Sequence, residues 1–224
     1  MLLVIPKVLN EEELASIDEG LSAGSFVDGK TTAGKRAGRV KENLQLDRTS
    51  VESGKLGNIV IQALQRNPNF RAAALPKRIL PPLFSRYEKG MEYGSHVDNP
   101  IMPSPAGPMR TDLAITLFLS DADTYDGGEL VIHTETGPRA VKLKRGDAVV
   151  YSSNSLHGVN PVAKGTRLAA VTWVQSMVRD PGQRELLYDI AILRQWIERE
   201  HGETAEADLL AKIYNNLLRM WSEP

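Results

Sequence analysis

Tyr93-Gly94-Ser95-His96-Val97-Asp98-Asn99-Pro100 is the stretch around which the rest of the chain can be read. In an extended backbone successive side chains alternate between faces, which puts His96 and Asp98 on one side about 7 Å apart along the chain. An imidazole nitrogen and a carboxylate oxygen can then converge on one metal ion. A third ligand has to come from elsewhere. His157, in Ser153-Asn154-Ser155-Leu156-His157-Gly158-Val159, is the best candidate and again sits in a stretch that reads as extended.

Outward from this stretch the chain is a run of short strands. They fall at about 83–88, 94–98, 111–119, 129–134, 139–144, 148–152, 157–162 and 166–176. Turn signals separate them: Asp126-Gly127-Gly128, Thr136-Gly137-Pro138, Arg145-Gly146-Asp147 and Lys164-Gly165. That spacing predicts an all-β sandwich or barrel. Eight strands in two Greek keys make a jelly roll. Ile79-Leu80-Pro81-Pro82 marks an edge entry, because proline cannot donate to a ladder.

A charged residue in the last strand sharpens the metal reading. Arg167 enters the otherwise apolar Leu168-Ala169-Ala170-Val171-Thr172-Trp173, ten residues after His157. A buried guanidinium is costly unless an anion meets it, and its planar fork suits a carboxylate. Arg167, Ala169, Val171, Trp173 and Gln175 share one face, so small Ala169 leaves room beside the guanidinium while Trp173 fills the deeper end or is plain core packing. Two imidazoles and a carboxylate with open positions form the facial triad of non-haem ferrous oxygenases.

The order His-x-Asp, about sixty residues, His, ten residues, Arg resembles the Fe(II)/2-oxoglutarate dioxygenases. Tyr87, Tyr93, the His96-Val97-Asp98-Asn99-Pro100 run, Gly127-Gly128-Glu129-Leu130 and Leu156-His157-Gly158-Val159 resemble their prolyl-hydroxylase-like branch. Over most of the chain the nearest resemblance is to bacterial PKHD-type hydroxylases. It implies a double-stranded β-helix, with Fe(II) on His96, Asp98 and His157 and 2-oxoglutarate on Arg167 and Tyr87. It also implies O2 as cosubstrate, L-ascorbate as reductant, and hydroxylation of an unidentified small-molecule or peptidyl substrate with release of succinate and CO2. Charge agrees: the ion's two positive charges and that of Arg167 balance Asp98 and the dianion, so a buried assembly is neutral. Rival readings are a zinc hydrolase on the same barrel, which leaves Arg167 unexplained, and a non-catalytic cupin-like sensor of metal or ligand.

Composition bounds the remainder. At 224 residues, 27 basic against 28 acidic, the chain can bury one substantial core and lacks the cationic excess of a nucleic-acid surface. With no cysteine there is no disulfide framework and no thiolate nucleophile. No run of eighteen apolar residues suggests a membrane span, and the reading is a cytoplasmic protein.

Ahead of the strands, Asn10 caps a helix with Glu13 three positions on, and a second helix runs from a Thr49 or Ser50 cap to about Asn67. Residues 28–41 hold three glycines and five cations, a solvated loop or a flap over an anionic substrate. Val40–Asp47 alternates as one strand, with Lys41, Asn43 and Gln45 on a polar face suited to lining a cavity. Residues 99–109 carry Pro100, Pro103, Pro105 and Pro108, which predicts an unpaired loop at the mouth; Asn99, Pro100, Arg110 and Gln45 are the lid candidates. Asp180-Pro181-Gly182 breaks the sheet, and helical stripes over about 183–200 and 203–221 predict a hairpin packed on the sandwich, available for a homodimer. The expected organisation is a dioxygenase unit over 1–177, its core at 78–177, and a helical extension over 178–224. His133 and His201 are expected at the surface.

Overall fold

The computed structural model describes residues 1–223 other than 33 and 35. Two sheets face one another. In the larger, strands follow the order Leu2–Ile5, Ala148–Ser152, Leu113–Phe118, Arg167–Ser176, Leu83–Tyr87, Leu44–Leu46 and Phe26–Asp28, and Pro76–Ile79 also pairs with Arg167–Ser176. The smaller sheet runs Gly137–Val141, Leu130–Thr134, His157–Val159, Glu92–His96 and Lys41–Glu42. All pairings are antiparallel. This is the jelly roll expected from the strand spacing.

Leu113–Phe118 shows why the strands sort as they do. Both of its faces are buried, so it reads as a continuous apolar run. Leu113, Ile115 and Leu117 join a core against the helices, while Ala114 and Phe118 face the space between the sheets. Along Arg167–Ser176, Ala170 and Val174 turn to the helices, and Val171 and Trp173 turn inward.

The helix-side core is closed by α1 (Glu11–Ala23) and α2 (Val51–Arg66). The α1 N-terminus carries a full capping box: Glu13 N–H donates to Asn10 Oδ1 and Asn10 N–H to Glu13 Oε2. Ser50 caps α2. Where the second helix was expected simply to end, Asn67 caps a further helix, α3 (Pro68–Ala74), with proline at its first position. Asn-Pro is a start signal because the proline nitrogen would have had no partner there. The C-terminal hairpin, α4 (Pro181–His201) and α5 (Ala205–Trp221), packs through Leu187, Tyr214, Leu217, Leu218 and Trp221 on Leu75 and Val178 beside α3.

Two expectations are corrected. Val40–Asp47 is not one strand: it breaks at Asn43, so that Lys41–Glu42 joins the smaller sheet and Leu44–Leu46 the larger. The proline-rich segment does pair, Ile101–Met102 with Met109–Arg110, because the prolines flank those rungs and leave them their donors. The segment between Asp28 and Lys41, expected as a solvated loop or a flap, holds two short 3₁₀ turns among its described residues, Gly29–Thr32 and Ala37–Val40; positions 33, 35 and 224 lie outside the described residues.

Candidate metal centre

The metal cluster is built on two neighbouring strands of the smaller sheet. Glu92–His96 and His157–Val159 pair with His157 directly opposite His96, and Asp98 follows two residues beyond the first strand. Gly158 permits the approach: a Cβ there would lie 2.7 Å from Tyr93 O. One ligand atom from each of His96, Asp98 and His157 falls within 4.8 Å of the others. Both histidine Nε2 atoms stand 3.8 Å from the carboxylate, one at each oxygen.

The second contacts of these side chains set their tautomers and aim. Nδ1 of His96 lies 2.9 Å from Gly94 O and Nδ1 of His157 lies 3.0 Å from Ser155 O. Donation to those carbonyls leaves each Nε2 with a free lone pair toward the centre. Trp173 Nε1 donates to Asp98 Oδ2 at 2.8 Å, so this indole is not plain core. Tyr93 stacks on His96 at 3.7 Å and Tyr151 meets His157 edge-on at 5.1 Å. Desolvation, reinforced by His157, pulls the His96 imidazole down to about 4, so it is neutral at physiological pH. Desolvation also pushes the Asp98 carboxyl up, opposed by His157 and the Trp173 hydrogen bond. Two imidazoles with Nε2 turned inward beside a carboxylate short of positive charge are the donor set that a divalent cation completes.

Arg167 enters the same cavity from the larger sheet. It is 1% exposed, its Nε has no hydrogen-bond partner, and it forms no ion pair among the described residues. Its guanidinium lies 5.1 Å from the Tyr87 ring and 5.5 Å from that of Phe118. Gly128, at φ +66°, opens space beside it, since a Cβ there would lie 3.1 Å from Arg167 Cδ. Tyr87 is buried next to it; desolvation raises its phenol and Arg167 partly offsets that. The cavity measures about 420 Å³ and takes its walls from both sheets, from Gly34 and Ala37, and from Met102 to Pro105.

Not every residue singled out as a lid lies at the mouth. Asn99 lines the cavity, Pro100 does not, and Arg110 is held away by Asp112 and Glu223. Gln45 is a buried wall residue: it accepts from Thr32 Oγ1 at 2.6 Å and its Nε2 donates to Ser85 Oγ at 3.3 Å. The proline-rich hairpin is fastened by Arg78, which bonds Ser104 Oγ, Gly107 O and Pro108 O. His133 and His201 are exposed. The alternation that put Lys41 and Gln45 on a cavity-lining face agrees with their burial in the wall, whereas the Trp173 bond to Asp98 was missed, although the indole shares a strand face with Arg167.

With this geometry in place, comparison with known proteins is informative. Residues 82–175 match the model of the 2OG-Fe(II) oxygenase superfamily, and residues 181–223 match that of the PKHD-type hydroxylase C-terminal domain. A PKHD-type hydroxylase of Rippkaea orientalis is 49% identical over 223 residues, covering all of both chains. Among solved structures, a Pseudomonas putida prolyl-4-hydroxylase aligns with a TM-score of 0.54 at 18% identity, over 78% of this chain and 92% of that one. A Trichoplax adhaerens prolyl hydroxylase, solved with a hypoxia inducible factor peptide fragment, aligns with a TM-score of 0.55 at 17% identity, over 83% and 86%. A jelly roll of prolyl-hydroxylase shape, a helical hairpin matched by its own family model and near-half identity along the full length have one reading: the chain belongs to the PKHD-type hydroxylases of the 2OG-Fe(II) oxygenase superfamily.

Proposed function

We propose that His96, Asp98 and His157 hold the Fe(II) that this superfamily uses, and that Arg167 receives the distal carboxylate of 2-oxoglutarate. The observation that carries this reading is the buried guanidinium without an ion pair, facing one cavity with a cluster of two imidazoles and a carboxylate. The ion and its cosubstrates, when bound, supply the oxidising power: one oxygen atom of O2 goes to 2-oxoglutarate, which leaves as succinate and CO2, and the other to a C–H bond of the substrate.

The chain's own groups do the rest. Gly94 O and Ser155 O keep each imidazole protonated on Nδ1 and ligating through Nε2. Trp173 holds one oxygen of Asp98, so the carboxylate presents the other. Tyr87 and Phe118 wall the guanidinium from water, where its charge acts at full strength on a carboxylate. Tyr87, beside Arg167, is assigned to the same cosubstrate.

The substrate enters past Asn99 and the 102–105 segment and is a small molecule or a peptidyl segment, as the peptide bound by the Trichoplax adhaerens enzyme illustrates for that protein. No helix among the described residues is long and apolar enough to cross a membrane. We place the enzyme in the cytoplasm, with 1–177 as its oxygenase unit.

The test is spectroscopic. Anaerobic addition of Fe(II) and 2-oxoglutarate is expected to give a visible metal-to-ligand charge-transfer band, and admitting O2 is expected to release succinate. Tight zinc binding with neither band nor succinate would overturn the assignment.

A further inference from the structure

Lys41 is a buried cation that the reaction above does not use. Its strand is two residues long and pairs Lys41 with Tyr93, which turns the side chain into the cavity. The residue is 4% exposed. Nζ donates to Thr32 Oγ1 at 3.0 Å, and the Thr32 hydroxyl contacts Gln45 Oε1 and Gly29 O in turn. The ammonium lies 5.1 Å from the Tyr93 ring centre, and that ring stacks on the metal-cluster residue His96. An aromatic face and one hydroxyl leave donor capacity on Nζ unused.

Lys41 forms no ion pair among the described residues, and Asp28 and Asp98 act on it only from a distance. Desolvation pulls the amine down to about 8, so at neutral pH it stays protonated, against the pull of burial. Charge around the cavity is lopsided. Lys41, Arg48, Asp98 and Arg167 are its charged lining residues, three cations to one carboxylate. Ferrous ion and Arg167 on one side, Asp98 and the 2-oxoglutarate dianion on the other, cancel. Lys41 and Arg48 are left over, and nothing acidic among the described lining residues answers them.

Resting on the site assignment above, we infer that the substrate carries an oxyanion, a carboxylate or a phosphate, which binds against Lys41 between Tyr93 and Thr32, with Arg48 at the rim. 2-Oxoglutarate is not that anion, because its two carboxylates are taken by the metal and by Arg167. A flexible four-carbon stem with a compact charge suits either kind of oxyanion, and the 3₁₀ turn that supplies Thr32 forms the wall beside it. Lys41 is therefore a specificity residue: it fixes one end of the substrate across the Tyr93 ring from His96.

The experiment uses Fe(II)-loaded protein under argon with saturating 2-oxoglutarate and measures binding by calorimetry. Each pair differs in the oxyanion: N-acetyl-L-amino acids against their primary amides, and glycerol 3-phosphate against glycerol. At least one anionic probe is expected to bind about tenfold tighter than its neutral twin, with Lys41→Met abolishing that preference and Lys41→Arg keeping it within about threefold. Which pair discriminates tells carboxylate from phosphate. Unchanged 2-oxoglutarate affinity in Lys41→Met shows that the variant is folded and its cavity intact. No preference for any anionic probe, or a preference that survives Lys41→Met, overturns the inference while leaving the metal assignment standing. Failure of 2-oxoglutarate to bind the wild-type Fe(II) protein overturns both.

Discussion

Arg167 and Lys41 look into one cavity from opposite sheets and are held in opposite ways. Arg167 belongs to a ten-residue strand paired on both sides, and its guanidinium is walled by Tyr87 and Phe118. Lys41 belongs to a two-residue strand at a sheet edge, and its ammonium hangs on a hydroxyl of the 29–40 segment. The first is a rigid socket at the centre of a sheet. The second is an adjustable contact at its margin. On the assignments proposed above, the cosubstrate end of this cavity is built for a fixed partner, while the substrate end has room to differ.

The sharpest way to break that contrast is to remove what both ends share. Asp98→Ala deletes a proposed ligand and the Trp173 acceptor together; iron retention is expected to fall to background and succinate release to drop at least about a thousandfold. Arg167→Ala should raise the 2-oxoglutarate dissociation constant on the order of a hundredfold while metal affinity holds, since it strips a buried charge of its partner. Equal loss of both affinities would erase the distinction between socket and metal centre. Trp173→Phe keeps the ring volume and loses the donor to Asp98, so metal affinity should weaken roughly tenfold with the cosubstrate dissociation constant unchanged.

A further effect, on stability, concerns Lys41. Its folded amine titrates at about 8 against an ordinary 10.5. Between those values the unfolded chain still binds a proton that the folded one has released, so stability of the metal-free protein rises with pH across that window. Lys41→Met removes this contribution. Denaturant midpoints of wild type and Lys41→Met, compared from pH 7.5 to 10.5, should therefore diverge in favour of wild type as pH rises. Parallel curves would mean that Lys41 is solvated and the comparison with Arg167 is empty.

The legible parts of the molecule are those whose signal is local. Alternation over two residues puts His96 and Asp98 on one side in any strand, and Asn10 with Glu13 caps a helix wherever it occurs. An arginine in an apolar strand advertises an anion because burial penalises it in every fold. By contrast, the break at Asn43 was invisible, since Lys41, Asn43 and Gln45 alternate whether their strand is one or two. Arg110 was misplaced as a lid for a similar reason: Asp112 is near in sequence but Glu223 is not, and together they turn the side chain away.

The chain alone determined the jelly roll, the residue types able to bind a ferrous ion and a cosubstrate carboxylate, and the helices that close the outer core. Periodicity, capping and the cost of burying charge act within a few residues, so they can be read without coordinates. Only the tertiary structure decided that Trp173 steadies Asp98, that Gln45 is wall rather than lid, and that Lys41 is buried beside Tyr93. Those facts depend on which strand edges meet across the sandwich, and contacts between residues dozens of positions apart leave no mark on the short-range pattern of either.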